Sequence, residues 1–111
     1  MKKSTREVGN DLEKYIVSYL QEIDPKTKQS NNSGAVSNNG DILSKLFVTE
    51  CKHRNTKNLI INQKVWKKLS SQISIGSLKI PLLIMRNIDN ETFVVLGFKD
   101  FINLLKGKES K

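Results

Sequence analysis

The sequence predicts an α/β domain in which a mixed central sheet is flanked by helices. Three segments carry apolar residues at spacings of three and four, as amphipathic helices do. Between them lie short apolar or alternating segments typical of strands. The predicted order is helix, two or three strands, helix, two strands and helix. We expect a single domain over residues 1–111 with short flexible ends, because this length provides one hydrophobic core and not two.

The first predicted helix spans about Arg6 to Glu22 and stops before Pro25, since a residue before proline avoids the helical conformation. The second follows Asn62, a possible cap, and ends before Gly76. A short closing helix ends at Gly107. The apolar stripes consist of Leu12, Tyr15, Ile16, Tyr19, Leu20 and Ile23; of Val65, Trp66, Leu69 and Ile73; and of Phe98, Phe101, Ile102 and Leu105.

Strands are predicted at Asp41–Leu43, Leu46–Lys52, Ile80–Met85 and Thr92–Leu96. Turns at Ser44-Lys45 and Asp89-Asn90 join the first two and the last two. The polar segment 26–40 reads as a loop, which starts with a short strand near Thr27–Ser30 if a fifth strand exists. This segment is either a linker or a loop over a functional site. The connection through the second helix allows the second and third strands to lie parallel.

The chain is basic, with 19 Lys and Arg against 11 Asp and Glu and a formal charge of +8. An anionic partner explains such a charge, and nucleic acid is the commonest one, although a Lys-rich surface alone would also produce it. The single cysteine, Cys51, excludes an internal disulfide and a cysteine-rich zinc site. We expect a cytoplasmic protein without a membrane partner, because the sequence has neither a signal-peptide pattern nor a membrane-spanning run.

Glu50 and Lys52 are the residues that point most clearly to chemistry. They lie two apart at the end of an apolar strand, so their side chains project from the same face. Asp41 falls near Glu50 if the first two strands pair. Two carboxylates suit Mg²⁺ or Mn²⁺, and an adjacent lysine can orient or deprotonate water or stabilise charge on a phosphate. These groups suit phosphodiester hydrolysis, with a plain Glu50–Lys52 salt bridge as the alternative.

Further motifs surround this pair in a consistent order along the chain. They are Glu13 in GNDLE, Ser33 in Ser-Gly, Asp41 in GDIL, Glu50 and Lys52 in TECKHR, and Gln63 at the start of the second helix. In this order the set resembles the PD-(D/E)XK nuclease superfamily, most closely the archaeal-type Holliday-junction resolvases and their phage relatives. The resemblance covers about Arg6–Arg86. Gly40 departs from it, because the family pattern usually has proline before the aspartate.

The resemblance implies a restriction-endonuclease-like fold and a metal-dependent, structure-specific endonuclease that resolves Holliday junctions or other branched DNA. It implies one or two Mg²⁺ or Mn²⁺ ions per active site and, if the source is viral, the host cytoplasm. The implied catalytic residues are Glu13, Asp41, Glu50 and Lys52. The implied metal ligands are Glu13, Asp41, Glu50 and the carbonyl of Cys51. The candidate DNA contacts are Ser33 and Gln63 from the resemblance, and Arg6, Lys28, Arg54 and Lys64 from their charge.

Paired cuts in a four-way junction favour a two-fold homodimer, with the helix around Trp66 or the strand Pro81–Met85 as its surface. Tyr15 and Tyr19 are expected in the core, and His53 at a solvated strand end. Two alternatives to the resolvase stay open. One is another PD-(D/E)XK nuclease that nicks DNA or cuts flaps or single strands, since loops decide the substrate. The other is a basic DNA-binding module without catalysis.

Overall fold

The structure is a computed structural model that describes residues 5–30 and 41–109. Within these residues the chain forms a small α/β domain with three helices and a five-stranded mixed sheet. The helices are α1 (Thr5–Leu20), α2 (Gln63–Ser71) and α3 (Phe98–Glu109). The strands are β1 (Lys28–Gln29), β2 (Ile42–Leu43), β3 (Phe47–His53), β4 (Ile80–Arg86) and β5 (Thr92–Val95).

The order of elements expected from the sequence is confirmed, including the short strand before the polar loop. Three helix ends were predicted wrongly. The second helix ends at Ser71, before Ile73 of its predicted apolar stripe. The first helix ends at Leu20, where the chain turns back and the Asp24 N–H donates to the Leu20 carbonyl at 2.8 Å. The last helix continues through Gly107, because a glycine in an otherwise favourable helix costs only about 1 kcal/mol relative to alanine.

The strands lie in the order β1-β2-β3-β4-β5, and β3 and β4 are parallel while the other neighbours are antiparallel. The crossover through α2 makes the parallel pairing possible, as predicted. Pro81 is tolerated in β4 because the neighbouring Ile80 N–H donates to Leu46 on the β3 side. The Pro81 nitrogen therefore faces the β5 side, where pairing begins only at Leu83.

Each face of the sheet is covered by one helix. The face under α1 holds the buried cluster of Leu12, Ile16, Ile42, Leu82 and Ile84. The face under α2 holds the buried cluster of Val48, Leu69, Leu83 and Met85, with Trp66 packed against it. Val48 and Cys51 thus lie on opposite faces of β3, as the alternation predicted. The dimer surface expected at Pro81–Met85 is wrong, because this segment is largely buried inside the sheet.

Tyr15 and Tyr19 do not join the core, contrary to expectation. Their side chains are 44% and 56% exposed, and their rings meet edge to face with centroids 5.1 Å apart. α1 contacts the sheet through Leu12 and Ile16, so the tyrosines lie beside the contact, where their side chains hydrogen-bond to each other. The Arg86 guanidinium lies over the Tyr15 ring, 4.5 Å from its centroid.

The C-terminal part of the domain exposes apolar side chains. β5 is an edge strand, and Phe93 and Val94 on it are about half exposed. In α3, Phe98, Phe101 and Leu105 are exposed, and neither core cluster contains a residue of this helix. Among the described residues, no helix is both long and apolar enough to cross a membrane.

Candidate active site

A gap in the sheet positions the candidate catalytic side chains. β2 pairs with β3 only through Ile42–Thr49 and Leu43–Val48. Beyond Thr49, no strand of the described residues pairs with β3 on that side, whereas β4 continues on the other side to His53. The motif residues Glu50 to Lys52 therefore lie at an open edge near the carboxyl end of β3.

Asp41 closes the near side of this gap. Its N–H donates to the Thr49 carbonyl at 2.8 Å, and its carbonyl accepts the Ser30 N–H at 2.9 Å. These bonds hold the backbone, so that the carboxylate oxygen Oδ2 accepts the Cys51 N–H at 2.9 Å. Asp41 thus lies beside the residue next to Glu50, as the predicted pairing of the two strands required.

The pKa of Asp41 is raised above its ordinary value, mainly by burial and further by the negative charge of Glu50. The Cys51 N–H and the ammonium groups of Lys52 and Lys68 act in the opposite direction. Burial and the charge of Glu50 outweigh these three interactions, so the net effect on the pKa of Asp41 is an increase. Ionisation of Asp41 is therefore less favourable in the folded protein than in a free aspartate.

Glu13 approaches the same gap from α1. The Gln29 amide donates to Glu13 Oε1 at 3.2 Å and to Asn10 Oδ1 at 3.0 Å, which ties the helix to β1. Burial raises the pKa of Glu13, the Gln29 hydrogen bond opposes this, and the charges of Asp41 and Glu50 raise it further. The structure therefore brings Glu13, Asp41 and Glu50 close enough to repel one another.

Lys52 and Glu50 form an ion pair, with Lys52 Nζ 3.1 Å from Glu50 Oε2. The side chains are 31% and 15% exposed, so the pair is largely shielded from solvent. The salt bridge considered as the alternative interpretation does form. It does not neutralise the cluster, because the pKa of Asp41 stays raised although the charges of Lys52 and Lys68 both lower it. The ion pair alone therefore does not explain why three acids gather here.

Cys51 presents its backbone to the gap and its thiol to the core. The amide N–H and the carbonyl of one strand residue point to the same side, so the Cys51 carbonyl faces the Asp41 side with the N–H. The thiol packs against the cluster under α1, and burial raises the pKa of that thiol far above its ordinary value. A protonated, buried thiol is a poor nucleophile, which leaves the backbone as the functional part of this residue.

Gln29 and Lys68 are two site residues that the sequence did not reveal. Gln29 lies in a two-residue strand and holds Glu13. Lys68 lies on α2, and its charge acts on Asp41 across the sheet. Gln29 fell within the possible short strand near Thr27–Ser30, but the sequence carried no signal that it contacts Glu13. Lys68 looked like its neighbours Lys64 and Lys67, and only the placement of α2 distinguishes it.

The structure does not bring the predicted DNA-contacting residues together as it does the acids. Lys28, Arg54, Gln63 and Lys64 are exposed. Gln63 begins α2, and no hydrogen bond in the described part of the chain joins it to the carboxylates. Arg6 belongs to α1. Ser33 lies outside the described residues.

The donor set fits a hard divalent cation with few protein ligands. In residues 5–30 and 41–109, no three His, Cys, Asp or Glu side chains are arranged to hold a metal ion together. Mg²⁺ usually takes one or two carboxylates and retains several waters. Asp41, Glu50 and the Cys51 carbonyl provide oxygen donors only, and a bound cation would offset the burial and mutual repulsion that raise the pKa values of Glu13 and Asp41.

Comparison with known proteins provides no relative for this chain. No protein-family model matches it, and no curated protein or solved structure is significantly similar to it. The interpretation of the site accordingly rests on its own geometry and chemistry.

Proposed function

We propose that this protein is a metal-dependent endonuclease of the PD-(D/E)XK type that hydrolyses phosphodiester bonds in DNA. We further propose Holliday junctions or other branched DNA as the substrate. One observation carries the proposal: Glu13, Asp41 and Glu50 lie close enough to interact at the gap beside β3, where burial and neighbouring negative charge raise the pKa values of Glu13 and Asp41, and Lys52 pairs with Glu50. Neighbouring acids whose pKa values are raised by burial and by one another are typical of functional sites.

Mg²⁺ or Mn²⁺, one or two per site, would be held by Asp41, Glu50 and the Cys51 carbonyl, with Glu13 as a direct or water-mediated ligand. Such an ion polarises a phosphoryl oxygen and lowers the pKa of a bound water. The backbone bonds of Asp41 to Thr49 and Ser30 fix the position of its carboxylate in advance. Gln29 fixes Glu13 in the same way, and such preorganisation avoids a cost of ordering during the reaction.

Lys52 is the residue proposed to act on the reacting groups directly. Its ammonium lies 3.1 Å from Glu50, and its charge also acts on Asp41. From there it would orient the attacking water and stabilise the negative charge that builds on the phosphate. Lys68 would add positive charge from the α2 side.

The charge of the chain supports nucleic acid as the partner. The net charge of +8 attracts a polyanion, and Lys28, Arg54 and Lys64 are exposed to it. We propose a cytoplasmic location, which the single, unpaired Cys51 suits.

We also propose that the enzyme acts as a two-fold homodimer, because two symmetric cuts need two active sites. Trp66 packs on the core and contributes little free surface, so we assign the interface to β5 and α3. The edge strand β5 has unpaired backbone groups that a second copy can pair with antiparallel. Phe93, Val94, Phe98, Phe101 and Leu105 offer on the order of 500 Å² of apolar surface, against roughly 800 Å² per partner in a standard interface.

The molar mass measured by light scattering after gel filtration tests the proposed dimer. Phe98→Ser combined with Val94→Lys should convert a dimer to a monomer. Ile75→Ser is the matched control, because Ile75 is fully exposed on another surface and should leave the mass unchanged. A monomeric parent, or a double variant that remains dimeric, would contradict this assignment.

The catalytic proposal is tested with labelled four-way junction, flap, single-stranded and linear duplex DNA in Mg²⁺ or Mn²⁺. Asp41→Asn and Glu50→Gln should abolish cleavage and retain most DNA binding, since both replacements keep the shape of the side chain. Asp24→Asn makes the same chemical change far from the gap and should cut like the parent. Cleavage by Asp41→Asn and Glu50→Gln at the parent's rate would refute the proposal.

The same assay separates the alternatives. Symmetric paired cuts in the junction favour a resolvase, whereas cutting of flaps or single strands alone favours another nuclease of this type. A binding module without catalysis would bind DNA with a strong salt dependence and would cleave none of these substrates with either metal.

A further inference from the structure

A surface cavity with both polar and apolar lining lies at the carboxyl ends of β3 and β4, the end of the sheet that also holds the candidate active site. Its volume is about 510 Å³. It opens on the face of the sheet covered by α1, whereas Glu50 and Lys52 project from the opposite face of β3. The cavity is lined by Val8, Asp11, Tyr15, His53, Arg86 and Asn90.

Arg86 is held rigidly at this cavity with most of its donors unused. Its Nε donates to Thr92 Oγ1 at 3.0 Å, and its guanidinium lies over the Tyr15 ring at 4.5 Å. A guanidinium has five N–H donors in a planar fork, so four remain for another group. No carboxylate of the described residues forms a salt bridge with Arg86. A fixed, unpaired guanidinium suits bidentate binding of a phosphate.

His53 adds a second donor next to Arg86. The two residues are paired in register on the parallel strands β3 and β4, so their side chains point to the same face. His53 also follows Lys52 directly, so the cavity and the proposed catalytic lysine lie at the same end of β3, on opposite faces of the strand. A strand of nucleic acid that crosses the end of the sheet would meet the carboxylate cluster and this cavity in succession.

Asp11 lines the same cavity and bears the opposite charge. Its carboxylate would weaken the attraction of an anion without cancelling it, because Arg86 and His53 both offer donors on the strand side. This opposition is useful experimentally. If the cavity binds an anion, loss of the Asp11 charge must strengthen the interaction that loss of the Arg86 charge weakens.

We propose that the cavity binds a backbone phosphate of the same nucleic acid strand, next to the one that is cleaved. Arg86 donates two hydrogen bonds to the phosphate and His53 donates one. The Tyr15 ring packs against the face of the Arg86 guanidinium. This inference rests on the proposed function for its partner, but the binding measured below requires no cleavage and no metal.

The test is the salt dependence of binding to a labelled four-way junction and to a single-stranded oligonucleotide, both in EDTA. Each phosphate contact contributes roughly 0.7–0.9 to the slope of log affinity against log salt concentration. Arg86→Gln should lower the slope by about that amount, and Asp11→Asn should raise the affinity. Lys79→Gln removes the same charge just before the other end of β4 and should leave the slope near the parent's.

A purely structural role for Arg86 would give a different result. If the guanidinium only fastens Tyr15, Arg86→Gln and Tyr15→Leu will lower the unfolding temperature alike, and the salt slope will match that of Lys79→Gln. This result would overturn the proposal. Arg86→Lys keeps the charge and serves if Arg86→Gln fails to fold: it should retain the slope and bind about tenfold more weakly, because the bidentate contact is lost. Arg86→Lys with the parent's affinity would equally overturn it.

The two proposals fail separately. Absence of cleavage in Mg²⁺ with an intact Arg86 effect on the salt slope would reject the nuclease and retain the phosphate site. Metal-dependent cleavage with no Arg86 effect would reject the phosphate site and retain the nuclease.

Discussion

The two ends of the sheet hold carboxylates in opposite electrostatic situations. At the end where β3 begins, Asp24 accepts the N–H groups of Lys45 at 2.8 Å and Lys26 at 3.1 Å. The Lys45 hydrogen bond lowers the pKa of Asp24 below its ordinary value. At the end where β3 stops, burial and neighbouring charges raise the pKa values of Glu13 and Asp41. Ionisation therefore stabilises the fold at Asp24 and destabilises it at the other two acids.

This difference separates an acid that serves the fold from acids that serve a site. Asp24 ties the turn after α1 to the turn between β2 and β3, beside an apolar groove of about 650 Å³. Asp41 and Glu13 are also held by hydrogen bonds, yet their charges remain unfavourable. A protein retains such a cost where function requires it. The contrast leads to four predictions, of which the first concerns Lys52.

Lys52→Ala should reduce DNA turnover by about 10²–10⁴-fold, the usual effect of losing a positioned acid–base group. Affinity for Mn²⁺ should stay near the parent's or rise, because Glu50 loses the ammonium 3.1 Å away. Single-turnover cleavage and calorimetry measure the two effects separately. Lys79→Ala is the control at the other end of the sheet. Unchanged turnover in Lys52→Ala would remove this lysine from the mechanism.

If divalent cations bind the assembled carboxylates and not the unfolded chain, as proposed, they should stabilise the parent against unfolding. At a free concentration one hundred times the dissociation constant, the gain is about 2.7 kcal/mol. Thermal unfolding with and without Mg²⁺ measures it. Asp24→Asn should gain as much as the parent, whereas Asp41→Asn should gain little. Equal gains in both variants would mean that the cation binds elsewhere.

Asp41→Asn should itself raise the free energy of unfolding in metal-free buffer at neutral pH. The raised pKa of Asp41 means that ionisation costs stability, and asparagine keeps an oxygen for the Cys51 N–H. The gain is up to about 1 kcal/mol, since partial exposure screens the repulsion. In the parent, stability should fall as pH rises through the raised pKa values of Glu13 and Asp41. Denaturant unfolding across pH should show a smaller fall in the variant.

Asp24→Asn should have a smaller effect of opposite sign. The lowered pKa of Asp24 means that its charge contributes stability above the unfolded-state pKa, and this contribution disappears as pH falls through the folded-state pKa. The variant should therefore be slightly less stable than the parent at neutral pH and equal to it in acid. If Asp24→Asn were more stable than the parent at neutral pH, ionisation would not affect stability in opposite directions at the two ends of the sheet, and the comparison would fail.

The sequence predicted the elements well where their periodicity was long. Alternation in β3 placed Val48 and Cys51 on opposite faces, and the spacing of Glu50 and Lys52 placed both in one gap. The Asp89-Asn90 turn was also predicted, and Asn90 adopts the positive φ of 62° that asparagine tolerates.

The features that the sequence did not predict depend on tertiary packing, which a single sequence does not reveal. Tyr15 fits the apolar stripe of α1 by spacing, but the helix contacts the sheet through Leu12 and Ile16. Gln29 becomes a site residue only because a two-residue strand brings it under Glu13. The open edge at Asp41 exists because β2 is short, and strand length carries little signal at two residues.

The central claim is that the carboxylates at the end of β3 form a divalent-cation site. Calorimetric titration of Mn²⁺ into the metal-free protein tests it most directly, with Asp41→Asn and Asp24→Asn measured alongside. We expect saturable binding of one or two ions per chain, abolished by Asp41→Asn and retained by Asp24→Asn. Absence of saturable binding by the parent, or equal binding by both variants, would contradict the claim.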